Sequence, residues 1–410
     1  MTLAPELLTL ADIEAARKLL DGVVRVTPME PCRPLQAKVA GPAWLKCEHL
    51  QRAGSFKVRG AYVRIARLSD EERARGVVAA SAGNHAQGVA LAAGLMHTDA
   101  TVFMPVGAPL PKIAATKGYG AKVQLSGNTV DEALVEAQEY AERTGAVFIH
   151  PFDHLDIVAG QGTVGLEVLE QCPDVRTVVV GIGGGGLLAG TAVAVKALRP
   201  DVRVIGVQAA GAAAYPPSLK SGRPVRLSTY ATIADGIAVG CPGDVPFAHI
   251  SKLVDDVVTV TDEDISRALL VLMERSKQVV EPAGAVAVAA LLAGAVAVDP
   301  PVVAVVSGGN IDPLLLLRLI EHGLAAAGRY LTFTVRCGDR PGQLARLLAL
   351  IAERGANVLD VEHRRHDPRL RLGEVEVALS VETRGAEHSD RLVTALRAAG
   401  YTVTFTGSLA

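Results

Sequence analysis

From about residue 75 the chain alternates between short runs of β-branched residues and alanine-rich runs of helical period. GVVAAS precedes NHAQGVALAAGL, ATVFMP precedes PLPKIAATKGYG, and AKVQLSG precedes TVDEALVEAQEYAERTG. RTVVVGIG then leads into a helix predicted over Leu187 to Leu198, and DVRVIGVQ and PPVVAVVSGGN follow as later strands. Strands joined through helices of this length run parallel, and a parallel sheet needs helices on both faces. The pattern therefore predicts an α/β fold. The units up to Phe148 form a smaller lobe, about residues 52–150, inserted in a larger lobe, and the whole occupies residues 1–325.

After Gly328 the texture changes. RYLTFTVRC, NVLDVEHRRH, RLGEVEVALSVET and YTVTFT read as strands, with PGQLARLLALIAERGA and AEHSDRLVTALRAAG as helices between them. The order β-α-β-β-α-β over residues 329–410 predicts a ferredoxin-like α+β unit, with turn chemistry at Asp367 and Pro368 in its hairpin.

Composition narrows the class of function. Half of the 410 residues are apolar, enough for two or three domains with real cores. Forty-one basic and 43 acidic residues leave a formal charge of −2 with no basic run, which argues against nucleic acid as a partner. The longest uncharged apolar run, Pro282 to Val298, is short for a membrane span and rich in Ala and Gly, so it reads as a buried helix. The first 20 residues lack the pattern of a signal peptide. The cysteines are five in number, scattered, and form no CxxC pair. A reduced, cytoplasmic protein without a membrane partner is expected.

Two motifs carry chemistry. GIGGGGLLAG, residues 181 to 190, lies between a strand and a helix. Gly183, Gly184, Gly185 and Gly186 let backbone N–H groups converge on a phosphate at the helix N-terminus. Gly181, Gly183 and Gly186 also satisfy a dinucleotide fingerprint, but the next strand ends at Gln208 rather than at an acid, so a phosphate monoester is the better guest. The second motif is QRAGSFKVRGAY, residues 51 to 62. Ser55 reads as the N-cap of a helix, which puts Lys57 in the first turn, where the macrodipole disfavours its charge. A lysine destabilised as a cation is more often a free amine, able to form a Schiff base with an aldehyde. A phosphate site and an activated amine point together to pyridoxal phosphate.

GSFKVRGA, SAGNHAQG, GIGGGGL, VEPAGA and VSGGN occur in this order before residue 325. The chain here resembles the fold-type II pyridoxal-phosphate enzymes, the tryptophan-synthase β-like family, and within it the threonine/serine dehydratase and serine racemase branch. The resemblance implies Lys57 as the Schiff-base lysine, Phe56 beside the cofactor ring, and Asn84 on the ring hydroxyl. It implies Gly183 to Gly186 and Leu187 at the phosphate, and Ser307 on the pyridine nitrogen. Ser81, Ala82, Gly83, Asn84 and His85 follow a strand and open a helix, a setting that suits a substrate carboxylate. His85 is expected to be structural rather than catalytic, and a bare N-cap is the other reading of Asn84.

The implied reaction is α,β-elimination: threonine ammonia-lyase chemistry, L-threonine to 2-oxobutanoate and ammonia, with L-serine as a second substrate. Racemases of the branch need a second base at the position of Ala82, and alanine cannot exchange protons. Serine racemase, serine dehydratase and 3-hydroxyaspartate ammonia-lyase remain the alternatives, with a nicotinamide oxidoreductase or silent amino-acid sensor beyond them. The cation carboxylates of the branch would fall near Gln208 and Ala214, neither acidic, so no metal is expected, although Glu281 is retained. His150, Asp153, His154 and Asp156 are metal-capable but match a structural loop.

The carboxyl-terminal unit resembles an ACT domain through CGDRPGQLARLLALIAERGANVLDV. Asp339, Gly342, Gln343 and Leu344 in the turn, and Asn357 before the next strand, are its candidate effector residues. Isoleucine is the candidate effector, an oligomerisation module without ligand the alternative, and a homodimer or homotetramer the expected assembly.

Overall fold

Val77–Ala80, Ala100–Met104 and Val302–Val305 are buried at every position, as strands inside a parallel sheet must be. The computed structural model describes residues 7–326, 328–365 and 370–405, so the predicted turn at Asp367 and Pro368 lies outside the described residues. Contacts divide the chain into two units, Met1–Asp312 and Pro313–Ala410.

The first unit holds two sheets. The larger has six strands in the order Met29–Pro31, Ala43–Lys46, Val302–Val305, Thr177–Gly181, Arg203–Ala209 and Asp256–Val260. Its neighbours are parallel except for the first pair. The smaller has four parallel strands in the order Lys122–Leu125, Ala100–Met104, Val77–Ala80 and Val147–Phe148. Val178, Val179 and Val180 are fully buried, each contributing roughly 1.5–3 kcal/mol by leaving water. Met29–Pro31, Ala43–Lys46 and Asp256–Val260 escape the sequence reading because their short runs gain strand geometry only by pairing with neighbours distant in the chain.

Two expectations need correcting. The apolar run from Pro282 to Val298 is a buried helix only over Pro282–Ala293; Gly294, at φ 71°, ends it. Ser55 is not an N-cap. Its backbone is extended (φ −165°, ψ 165°), its buried Oγ has no hydrogen-bond partner among the described residues, and the helix is Lys57–Ala66 with Phe56 at the cap position. Pairing decides this, because Ser55 bridges Gly308 as a strand would and Phe56 N donates to Ser307 O at 3.2 Å.

The helix that starts at Lys57 is anchored by a buried charge cluster. Arg59 bonds Glu48 at 2.8 Å and Glu167 at 2.6 Å, and Lys46 bonds Glu167 at 2.6 Å. Lys46, Glu48 and Arg59 have no exposed surface. Such charges are tolerated inside only because each is matched.

In the second unit the helix Pro313–Ala326 precedes an antiparallel sheet ordered Asn357–Arg364, Glu374–Glu382, Tyr330–Gly338, Thr402–Phe405. Helices Gln343–Glu353 and Ala386–Ala398 bury Leu347, Ile351, Leu392 and Leu396 against Phe333 and Val377. This is the ferredoxin-like order read from the sequence.

Candidate active site

Strands Val77–Ala80, Thr177–Gly181 and Val302–Val305 all deliver their carboxyl ends to one cavity of about 510 Å³. Phe56, Lys57, Ser81, Ala82, Gly83, Asn84, His85, Gly183 to Leu187 and Ser307 line it, so the candidate cofactor and substrate residues of the sequence lie together.

The glycine loop joins a buried strand to the helix Gly186–Leu198. Gly185 caps that helix at φ 103°, in the left-handed region that glycine alone enters cheaply. A Cβ there would collide with the Tyr215 hydroxyl, and one on Gly184 with the Phe152 ring. Neither position can therefore carry a side chain, and the loop's N–H groups stand at the positive end of a helix.

Lys57 Nζ donates to Pro151 O at 2.9 Å and lies 5.2 Å from the centre of the Phe56 ring. Burial lowers its pKa to about 8, against the opposing pull of Glu281. The free-amine fraction is therefore larger than in an ordinary lysine, and desolvation is the main cause. Glu281, 3% exposed, is shifted the other way, up to about 7, by burial and by the nearby Asp235.

Asn84 opens the helix Asn84–Leu95, and Gly83, not Asn84, takes the cap position. The Asn84 side chain is used elsewhere: its Nδ2 donates to Glu281 Oε1, and its Oδ1 accepts from Asn310 Nδ2 at 2.8 Å. Ser81 Oγ accepts from Gly83 N at 3.1 Å and holds the turn before the helix. His85 bonds Ile149 O through Nε2 at 2.8 Å, and burial lowers its pKa to about 3, so it stays neutral. Ser307, buried, bonds Ala283 O at 3.4 Å.

The metal-capable side chains of HPFDHLD are engaged locally. His150 Nδ1 accepts from Asp153 N at 2.7 Å, and Asp153 Oδ1 accepts from Val245 N at 2.8 Å. His154 caps the helix Leu155–Gln171, and Asp156 pairs with Arg64 and Arg67. Among the described residues no group of three or more His, Cys, Asp or Glu side chains could hold a metal ion. Gln208 and Ala214 are buried, with Gln208 Oε1 bonded to Tyr215 N at 2.8 Å.

The candidate effector residues belong to the second unit. Asp339 N donates to Gly373 O at 2.8 Å, and its carboxylate lies 3.4 Å from Arg365. Gly342, at φ 85°, caps the helix Gln343–Glu353, in which Leu344 packs on the core. Asn357 begins an edge strand.

Sequence reasoning missed several residues of the cavity. Lys112 and Asp235, paired at 2.6 Å, and Phe152 form part of its lining, and none stands in a recognisable spacing. His150, which the sequence offers only as metal-capable, lines it too. Asn310 did stand within VSGGN, which was the available signal.

The chain matches the family model described as "Pyridoxal-phosphate dependent enzyme" over residues 20–308 and the ACT domain over residues 331–400. It is 47% identical over 401 residues to an L-threonine ammonia-lyase of Thermotoga maritima, covering 98% of this chain and 100% of that one. Among solved structures it is similar to the processed form of threonine deaminase isoform 2 from Solanum lycopersicum, at TM-score 0.73 and 39% identity, covering 76% of this chain and 86% of the other. Maize serine racemase matches with TM-score 0.73 and 36% identity, over 78% of this chain and 99% of the other. With its tetraglycine loop, buried lysine and strand order, the chain belongs to the pyridoxal-phosphate-dependent enzyme family and carries an ACT domain after the enzyme domain.

Proposed function

We propose that this chain is a threonine ammonia-lyase, converting L-threonine to 2-oxobutanoate and ammonia and also accepting L-serine. The observation that carries the reading is the Lys57 amine, held by the Pro151 carbonyl in a cavity shared with the glycine loop. The residues present fit pyridoxal phosphate. Lys57 offers an amine for its aldehyde, the backbone from Gly183 to Leu187 offers donors for its phosphate, Ser307 a hydroxyl for its pyridine nitrogen, and Asn84 an amide for its ring hydroxyl. Phe56 stands beside the lysine that would carry it. When bound, the cofactor supplies an electron sink that weakens the substrate's α-C–H bond.

The chain's own residues do the rest. The turn from Ser81 to His85, at the start of a helix, holds the substrate carboxylate. Lys57, favoured as a free amine by burial, takes the α-proton. The β-hydroxyl leaves with a proton as water, and a second water returns to release ammonia, so the two balance. Ala82 presents no group that could return a proton to the opposite face, which favours elimination over racemisation. Leu134, Ile237 and Val239 add apolar side chains to the cavity lining, compatible with the β-methyl of threonine. The L-threonine ammonia-lyase name of the Thermotoga relative supports the same substrate.

For the ACT unit the reading is regulation by an amino acid such as isoleucine, through Asp339, Gly342, Gln343, Leu344 and Asn357, in a cytoplasmic homodimer or homotetramer. No helix among the described residues is long and apolar enough to cross a membrane. The test is 2-oxo acid release from L-threonine and L-serine, with and without isoleucine. Release of 2-oxobutanoate is expected. Release from L-serine alone would overturn the substrate, and no release from protein with cofactor bound would overturn the lyase.

A further inference from the structure

We infer that Asn310 is a positioning residue that fixes which end of the Asn84 carboxamide faces the cavity. The two ends of a carboxamide have almost the same shape, so its direction follows from what its partners are able to do. The direction here is set by a group that can only accept. The Ala53 carbonyl receives Asn310 Nδ2 at 2.7 Å, so that end of Asn310 must be the donor. The same Nδ2 lies 2.8 Å from the Asn84 carboxamide, so Asn84 must turn its oxygen toward Asn310. Asn84 Nδ2 is thereby directed to Glu281, where one N–H is used. The other N–H has no protein acceptor among the described residues, and Asn84 lines the cavity. The order holds whether or not Glu281 is protonated, because it is read from the Ala53 carbonyl.

The loop that supplies this carbonyl is shaped around Asn310. Ala53 and Gly54 both have positive φ, 61° and 69°, and a Cβ on Gly54 would strike the Asn310 carboxamide. Gly309 N donates to Gly54 O at 2.9 Å, which ties the loop to the segment after Ser307. An alanine held in the left-handed region is strained and persists only where the surroundings impose it. The result is a donor, not an acceptor, turned to the cavity, where it would meet the ring oxygen of a bound cofactor. Such a donor favours that oxygen as an anion.

This inference rests on the pyridoxal-phosphate reading of the cavity. The test uses the full chain with Asn310→Asp, which keeps the volume and removes both N–H groups, and Asn310→Ala, which removes the amide without adding charge. Pyridoxal phosphate affinity is measured by equilibrium dialysis, and the bound cofactor's visible absorbance is followed against pH. We expect the dissociation constant to rise roughly tenfold or more, as loss of a hydrogen bond to a charged group predicts, and the absorbance midpoint to move by about one pH unit. In an Asn84→Ala background neither Asn310 variant makes a further difference to either reading. Wild-type affinity and midpoint in both variants, or the same loss with and without Asn84, would overturn the proposal and leave Asn310 structural. Failure of the wild-type protein to bind pyridoxal phosphate through Lys57 would overturn the cofactor reading and this inference with it.

Discussion

Lys57, the proposed base, has its amine taken out of water and given one backbone carbonyl as its partner. A pKa of about 8 means that the ammonium dominates below that pH and the free amine above it. Acylation of Lys57 in the cofactor-free protein should therefore rise with pH and be half-maximal near pH 8, against 10.5 for an ordinary lysine; peptide mapping of the labelled chain measures this. Lys57→Ala should lower 2-oxobutanoate release at least 10²- to 10⁴-fold, the usual worth of a positioned base, and abolish borohydride trapping of the cofactor at this site. Gly185→Ala brings a Cβ onto the Tyr215 hydroxyl and holds alanine at φ 103°. It should cost about 1–3 kcal/mol of stability and weaken cofactor retention, read by thermal unfolding and dialysis.

Among the elements, the helix Lys57–Ala66 does most to organise the site. It is tied to the strand Ala43–Lys46 and the helix Leu155–Gln171 through the cluster of Arg59, Glu48, Lys46 and Glu167. Arg59→Ala strands Glu48 in a fully buried position and leaves Glu167 with Lys46 alone. A loss of about 3–5 kcal/mol is expected in chemical denaturation. Replacing the cluster with apolar residues of matched volume should cost far less, because no charge is then left unmatched. The same helix shows where local rules lose. Ser55 is a favoured cap residue, yet its pairing with Gly308 holds it extended and the helix starts two residues later. The run from Pro282 is uniformly apolar, but the positive φ at Gly294 ends the helix before the apolar pattern ends.

At the scale of the molecule, one chain joins an enzyme unit with its own cavity to an ACT unit with its own core. If isoleucine acts through the turn at Gly342, its addition should change the rate of 2-oxobutanoate release, and Gly342→Val should alter the isoleucine dependence. Valine strains the φ of 85° and adds a side chain where the backbone is open, with nothing within 4 Å of a Cβ. A rate indifferent to isoleucine in the wild-type chain would favour a purely structural role for the unit.

The sequence by itself determined what depends on short range. Alternating β-branched and helical runs dictate parallel strands, since period and length are properties of contiguous residues. The four glycines from 183 to 186 require an open backbone at a helix start, and the C-terminal order of strands and helices requires a ferredoxin-like unit. Only the tertiary structure decided what depends on neighbours far apart in the chain. Lys46 meets Glu167, Lys112 meets Asp235, and Asn84 meets both Glu281 and Asn310 across more than a hundred positions, with nothing in the local pattern to mark them. The depressed pKa of Lys57 belongs to the same class. Its main cause is desolvation, and how much water a side chain loses is fixed by packing from the whole fold.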